Sequence, residues 1–342
     1  MTKSMWIAVF ILALLFTACG TFMVLLQKDE EQKNIHYFLT NRKLNSVISY
    51  QEAALSVSDT AVLKNVSLRL SALPKLKNTI REFTLHSYKE KNHIPVYLSF
   101  TAKDVSVRLV DIARSLGIPP ENVIDTLAAF NPVEDIPNAP LYAVLLAGCH
   151  DVSAEIKGEY TYAPAAKKLS LKAQLSDQCL GRWNAELSFN NITNAQQGQF
   201  MLAFKHMVQK GSPAKDLENF LDGASVAHFS LSYTDEQLVK GYKKYIDTLY
   251  LRLPGAASPA EIDNKGLQEI VSYLSFSNAH RQRNTDIAHT LALFIKNPGT
   301  ILFQSKPGKQ VPLHVLRGSF LRRLTDLLLR LDTSVTLGKE TP

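Results

Sequence analysis

Hydrophobic positions along this chain follow three regimes, and each predicts a different element. The first is unbroken. From Met5 to Leu26 the sequence carries no charge and no proline. As a helix that run is about 33 Å long, enough to cross a bilayer core. The second regime alternates apolar and polar residues, the period of a half-buried strand. It occurs around 46–55, in 65–73 through Val66, Leu68 and Leu70, and in 79–88 and 94–101. It returns in 151–163, 169–175, 181–192, 226–233, 300–304 and 311–316. Lys89-Glu90-Lys91-Asn92 suits a tight turn, and so does Pro164-Ala165-Ala166-Lys167. The strands from 151 to 192 therefore predict a three-stranded meander.

The third regime has helical spacing. Val107, Val110, Ile112, Ala113 and Leu116 form a stripe over 105–116, ended by Gly117. Pro119-Pro120-Glu121 opens a second helix to about residue 129, giving a helical pair over about 105–130. Asn131-Pro132 and Pro137 mark a loop. Further helices are expected over 195–209, over 236–251 behind a Thr234-Asp235 cap, over 264–275 and over 286–296. Lys306-Pro307-Gly308-Lys309 turns the strand at 300–304 into the strand at 311–316 as an antiparallel pair. A last helix is expected over 319–332, with Arg317, Arg322, Arg323 and Arg330 marking a basic face opposite its leucines. Leu98-Ser99-Phe100-Thr101 and Leu231-Ser232-Tyr233-Thr234 each lead toward a helix, an echo that fits a duplicated strand–helix unit.

These elements predict an α+β fold: an N-terminal transmembrane helix, then a largely antiparallel, curved sheet with packed helical pairs. The expected organisation is a cytoplasmic start at 1–4, an anchor at 5–26, a β-rich subdomain at 30–195 and a strand-plus-helices subdomain at 196–342. Lys3 precedes the apolar run and net acidic Lys28-Asp29-Glu30-Glu31 comes after it, which puts the large region outside. The expected location is a bacterial inner membrane, single-pass, with the large region in the periplasm. Two alternatives stay open. Phe16-Thr17-Ala18-Cys19 resembles a lipobox, which would make Cys19 a lipidation site, and the same run can serve as a cleaved signal peptide.

Composition changes the picture little. Apolar residues make up 46% of the chain, which fits a core-forming protein rather than a disordered one. The formal net charge of +7 is compatible with anionic headgroups, but a Lys-rich solvated surface is the favoured account of it. No basic-aromatic module points to nucleic acid.

Two cysteines remain beyond Cys19. A hairpin closing near residue 165 pairs positions whose numbers sum to about 330, which sets Cys149 and Cys179 almost opposite at its open end. A disulfide between them is expected on an oxidising side of a membrane. Two buried free thiols, and a metal site at Cys149-His150-Asp151, are the alternatives. Adjacent strand residues point to opposite faces, which argues against the metal.

The stretches Asn65-Val-Ser-Leu-Arg-Leu, Gly158-Glu-Tyr-Thr-Tyr-Ala through Lys168-Leu-Ser-Leu, and Phe294-Ile-Lys-Asn-Pro-Gly-Thr-Ile-Leu with Lys306-Pro-Gly-Lys-Gln-Val-Pro-Leu resemble uncharacterised Gram-negative envelope proteins with a single N-terminal anchor. The likeness is loosely to YdgA-like and AsmA-like proteins. It implies a long antiparallel sheet, and in the AsmA-like group such sheets go with lipid handling or envelope assembly.

Catalytic motifs are absent: no nucleophile elbow, no P-loop and no H-E-x-x-H. The nine histidines are scattered singly. Only Asp286 and His289 stand at helical spacing, read as a cap beside a surface histidine. No catalytic, cofactor or metal residue is assigned. The expectation is a non-enzymatic, membrane-anchored scaffold or lipid-contacting protein, with an assembly factor for an envelope complex as the alternative. Its partners would be the membrane, lipid or envelope proteins, and not nucleic acid.

Overall fold

A computed structural model describes residues 48–55, 60–68, 78–92, 94–115, 117–122, 139–200, 223–250, 281–305, 311–312 and 331–338. The expected anchor at 5–26, Cys19, the loop at 131–137, the helix at 264–275, the last helix up to residue 330 and its four arginines lie outside these residues; Leu331 and Asp332, its expected end, form a turn.

One open sheet of twelve strands organises everything described. Chain order runs β1 (Ile48–Ser49), β2 (Glu52–Leu55), β3 (Ala61–Leu68), β4 (Asn78–Lys91), β5 (Ile94–Arg108), β6 (Asp151–Ala163), β7 (Lys168–Asp177) and β8 (Gly181–Asn190). Next come β9 (Ser225–Thr234), β10 (Thr300–Ser305), β11 (Val311–Pro312) and β12 (Thr333–Gly338). Every pairing is antiparallel, and spatial order matches chain order from β3 to β10, with β12 last. Sequence neighbours thus become spatial neighbours. β8 and β9, on either side of residue 196, are hydrogen-bonded partners in this sheet.

Helices are excursions between adjacent strands, and their apolar residues join the core of the sheet. α1 (Leu109–Ser115) and α2 (Ala139–Leu146) lie between β5 and β6. α3 (194–200) comes after β8, and α4 (Leu238–Tyr250) and α5 (Arg281–Lys296) lie between β9 and β10. Strand outweighs helix by about two to one, so the expected α+β class is corrected to a mostly antiparallel β architecture. The physical reason is at 105–108: Val107 fits the helical stripe, but Val105 and Val107, two apart, also fit a strand alternation. Pairing with β4 and β6 decides it, so β5 runs to Arg108 and the helix begins only at Leu109. The second helix of that pair opens as a 3-10 turn at Pro120–Asn122, and its remainder lies outside the described residues.

Membrane placement is also corrected. Among the described residues no helix is long and apolar enough to cross a membrane. The longest, α5, has 16 residues, about 24 Å, which falls short of a core of about 30 Å. The expected transmembrane helix, signal-anchor and single-pass inner-membrane location therefore find no support.

The sheet has one apolar and one polar face. A single cross-strand row shows this: Ala53, Leu63, Phe83, Ala102, Ile156, Leu175, Trp183, Tyr233, Ile301 and Leu337 stand side by side on ten consecutive strands. Leu63, Phe83, Ala102, Ile156, Leu175, Tyr233 and Ile301 are buried. The strict alternation of β6 and β7 puts every second side chain on this face. A neighbouring row of the opposite face is charged, running Glu52, Lys64, Glu82, Lys103 across β2 to β5.

Two pairings differ from expectation. β10 and β11 do not pair with each other but lie end to end along β9. β10's other neighbour is β12, a strand not anticipated from the sequence. The two echo segments also diverge, because β5 continues to Arg108 past Thr101 whereas β9 stops at Thr234.

Candidate functional site

Two places concentrate unusual chemistry: the corner where α2 meets the β7–β8 turn, and the two ends of the sheet. The corner starts with α2, whose sequence APLYAVLL has no polar face. Leu141 to Leu145 are all buried, so nothing periodic marks this helix, and the sequence pattern reads it as a connection between loop and strand. It ends in a Schellman cap. Gly148 takes φ of 89°, its N–H donates to Leu145 O at 2.9 Å, and Cys149 N–H donates to Val144 O at 3.1 Å. Lys244 Nζ, from α4, donates to another terminal carbonyl, Leu146 O, at 3.1 Å.

That cap aims Cys149 at Cys179, and the two form the expected disulfide, with Cα atoms 5.7 Å apart. The hairpin arithmetic locates it well: β6 and β7 pair Glu155 with Ser176 through Ala163 with Lys168. Cys179 sits just beyond, in the β7–β8 turn. Asp177 holds this turn. Its Oδ1 accepts from the N–H groups of Cys179 and Leu180, both at 2.7 Å, and its Oδ2 accepts from Ser153 N–H at 2.9 Å. At 8% exposed, the carboxylate is occupied by backbone donors and does not face a substrate space. The sequence does carry a signal for it: an Asp opening a turn that a glycine closes, with Gly181 at φ of 76°.

From the turn, contacts lead to α4. Trp183 Nε1 donates to Leu180 O at 2.7 Å, and its ring packs on Tyr233 at 4.2 Å between centroids. Tyr233 O–H donates to Asp235 Oδ1, which also accepts from Val239 N–H at 2.9 Å and so caps α4. Burial, and then the bond to Asp235, push the Tyr233 phenol well above the usual tyrosine range. It stays protonated and donating at any physiological pH, which suits a structural hydroxyl. α4 then crosses α2 closely: a Cβ at Gly241 would run into the Ala143 carbonyl and Ala147, and Tyr142 stacks on Tyr245.

The ends of the sheet differ in charge. At the first, Lys64 pairs with Glu52 at 2.9 Å and Lys103 with Glu82 at 2.8 Å. The hydrogen bond from Lys103 draws the Glu82 carboxyl below its usual range, and the bonds to Glu52 and Glu82 raise Lys64 and Lys103. This edge is also broken: β1 and β2 lie end to end on β3, with a jog at Asn65, whose φ is 51°. At the other end β12, Thr333-Ser334-Val335-Thr336-Leu337-Gly338, is uncharged and pairs without interruption along β10. Among the described residues two large apolar side chains are exposed, Leu293 of α5 and Leu337 of β12.

Of the other expected features, Asp286 and His289 lie inside α5, not at its start, because the helix begins at Arg281. Arg281 to Arg283 belong to that helix, which the sequence pattern began only at 286. Among the described residues no three His, Cys, Asp or Glu side chains gather at metal-holding distance, and Cys149 is committed to the disulfide. No known family profile matches the chain, and no curated protein matches it in sequence.

Proposed function

We propose that this protein is a binding scaffold that recognises a protein partner by strand addition at β12. One observation carries the reading: among the described residues the apolar cross-strand row begins at half-buried Ala53 and ends at Leu337, which is 43% exposed on the last strand of the order. A row that would be completed by one more strand, on an edge without charge or a break, is a template for pairing. The disulfide adds that the protein works where cysteines are kept oxidised. The lipid-contacting reading is less favoured. It needs an open apolar face, whereas Leu63, Phe83, Phe100, Tyr160 and Leu169 are fully buried.

The test places a photo-crosslinking residue at Thr336 and, as a control, at Glu52. The expected result is a stoichiometric crosslinked protein from Thr336 alone, lost when Leu337→Lys puts a charge on the edge. Equal crosslinking from both ends, or insensitivity to Leu337→Lys, sinks the proposal. Lipid in the purified protein, detected by mass spectrometry at one equivalent, would restore the lipid reading.

A further inference from the structure

The Cys149–Cys179 bond closes a ring in which every other contact between separate chain segments is non-covalent. From Cys179 the ring passes through Leu180 to Trp183, across to Tyr233, through Asp235 to the start of α4, over the Gly241 crossing to α2, and back through the Schellman cap to Cys149. The two sides of the bond are held differently. On the Cys179 side, Asp177 makes three hydrogen bonds that do not involve sulfur, two inside the turn to Cys179 and Leu180 and one to Ser153 of β6. The Cys149 side has no such carboxylate clamp among the described residues: α2 is apolar, and its end is tied by its own cap and by Lys244 of α4.

We propose that the disulfide is a redox-sensitive latch that holds α2, and through it α4, against the β7–β8 corner. It does not depend on what β12 binds. The reductant is a dithiol. Cys149 is 1% exposed and Cys179 is half-buried, so the attacking thiolate reaches Cys179 Sγ first. The S–S bond breaks, Cys149 leaves as a thiolate, and a mixed disulfide forms on Cys179. The second thiol of the reductant then attacks that mixed disulfide, freeing Cys179 and leaving the reductant as its own disulfide. Two electrons have passed to the protein, whose two thiolates take up two protons.

The experiment reduces the folded full-length protein, with Cys19→Ser to remove the third thiol, using dithiothreitol under native conditions. Hydrogen exchange and alkylation are then read together. An opened latch speeds exchange at Ala147, Gly148 and Cys149 by about tenfold or more and leaves the Asp177-held amides of Ser153, Cys179 and Leu180 unchanged. It also makes Cys149 alkylate alongside Cys179. If Cys149 stays unreactive and its cap amides do not change, α2 remains seated without the bond and the latch is refuted. If all sheet amides accelerate together, the bond is a global staple, which equally refutes it. Cys149→Ser with Cys179→Ser gives a permanently open comparison, and native reduction carries the test if that variant does not fold.

Discussion

The two ends of the sheet solve the same problem in different ways. Each has an aromatic pair lying against a glycine: Phe83 and Phe100 stacked at 5.4 Å with Phe100 over Gly158, and Trp183 with Tyr233 against Gly181. Each satisfies its interior, yet only the first protects its edge. There, alternating charges on β2 to β5 and a broken terminal strand discourage pairing with another chain. At β12 neither device is present, and an apolar side chain is left exposed. The lesson is that core packing and edge protection are separate properties of a sheet, and an end that has the first without the second is the place to look for a partner.

The comparison can be broken by mutation. The largest effect is expected from Phe83→Ala, which empties the wide core at the charged end; about 3–5 kcal/mol should be lost in denaturant unfolding. Next comes Gly158→Ala, which forces a Cβ into the Phe100 ring and should cost about 1–3 kcal/mol by overpacking. Ile301→Val, in the smaller cluster with Tyr233, Val239 and Phe294, should cost about 0.5–1.5 kcal/mol. If Ile301→Val proved as costly as Phe83→Ala, the small cluster would tolerate lost volume far less well than the large one.

The edge itself should hardly register in stability. Leu337→Lys is expected within about 0.5 kcal/mol of the parent while partner crosslinking is lost, which separates binding from folding. The smallest effect concerns the charged row. Glu82 has a folded-state carboxyl pKa below its unfolded value, so its contribution is present above the ordinary carboxylate range. That contribution is lost as pH falls through the depressed value. Replacing its partner, Lys103→Met, should return the Glu82 titration, followed by NMR, toward the ordinary range. An unchanged titration would mean the ladder is not coupled.

Much of the fold can be read from residues alone, and the exceptions have physical causes. The meander from β6 to β8 is legible because its alternation is strict, and the disulfide with it, because a hairpin's register fixes which residues oppose each other. Asp235 is recognisable as a cap, and Gly117 and Asn297-Pro298-Gly299 as helix stops, since these signals act within one or two turns. α2 is illegible, because a helix buried on all sides carries no period. Asp177 is legible as the residue that opens a turn, but its bond to Ser153 is not, because Ser153 lies on another strand.

Residue pattern settles local matters: where strands run, where helices stop, and which two cysteines can meet. Tertiary structure decided the rest. Whether Val105 to Arg108 is strand or helix depended on open hydrogen-bonding partners on β4 and β6. That β10 and β11 share β9 rather than each other, and that β12 closes the order, depended on competition among distant strands for the same edge. Such choices are invisible in a local pattern, because period 2 says that a residue lies in a strand but not which strand it will find beside it.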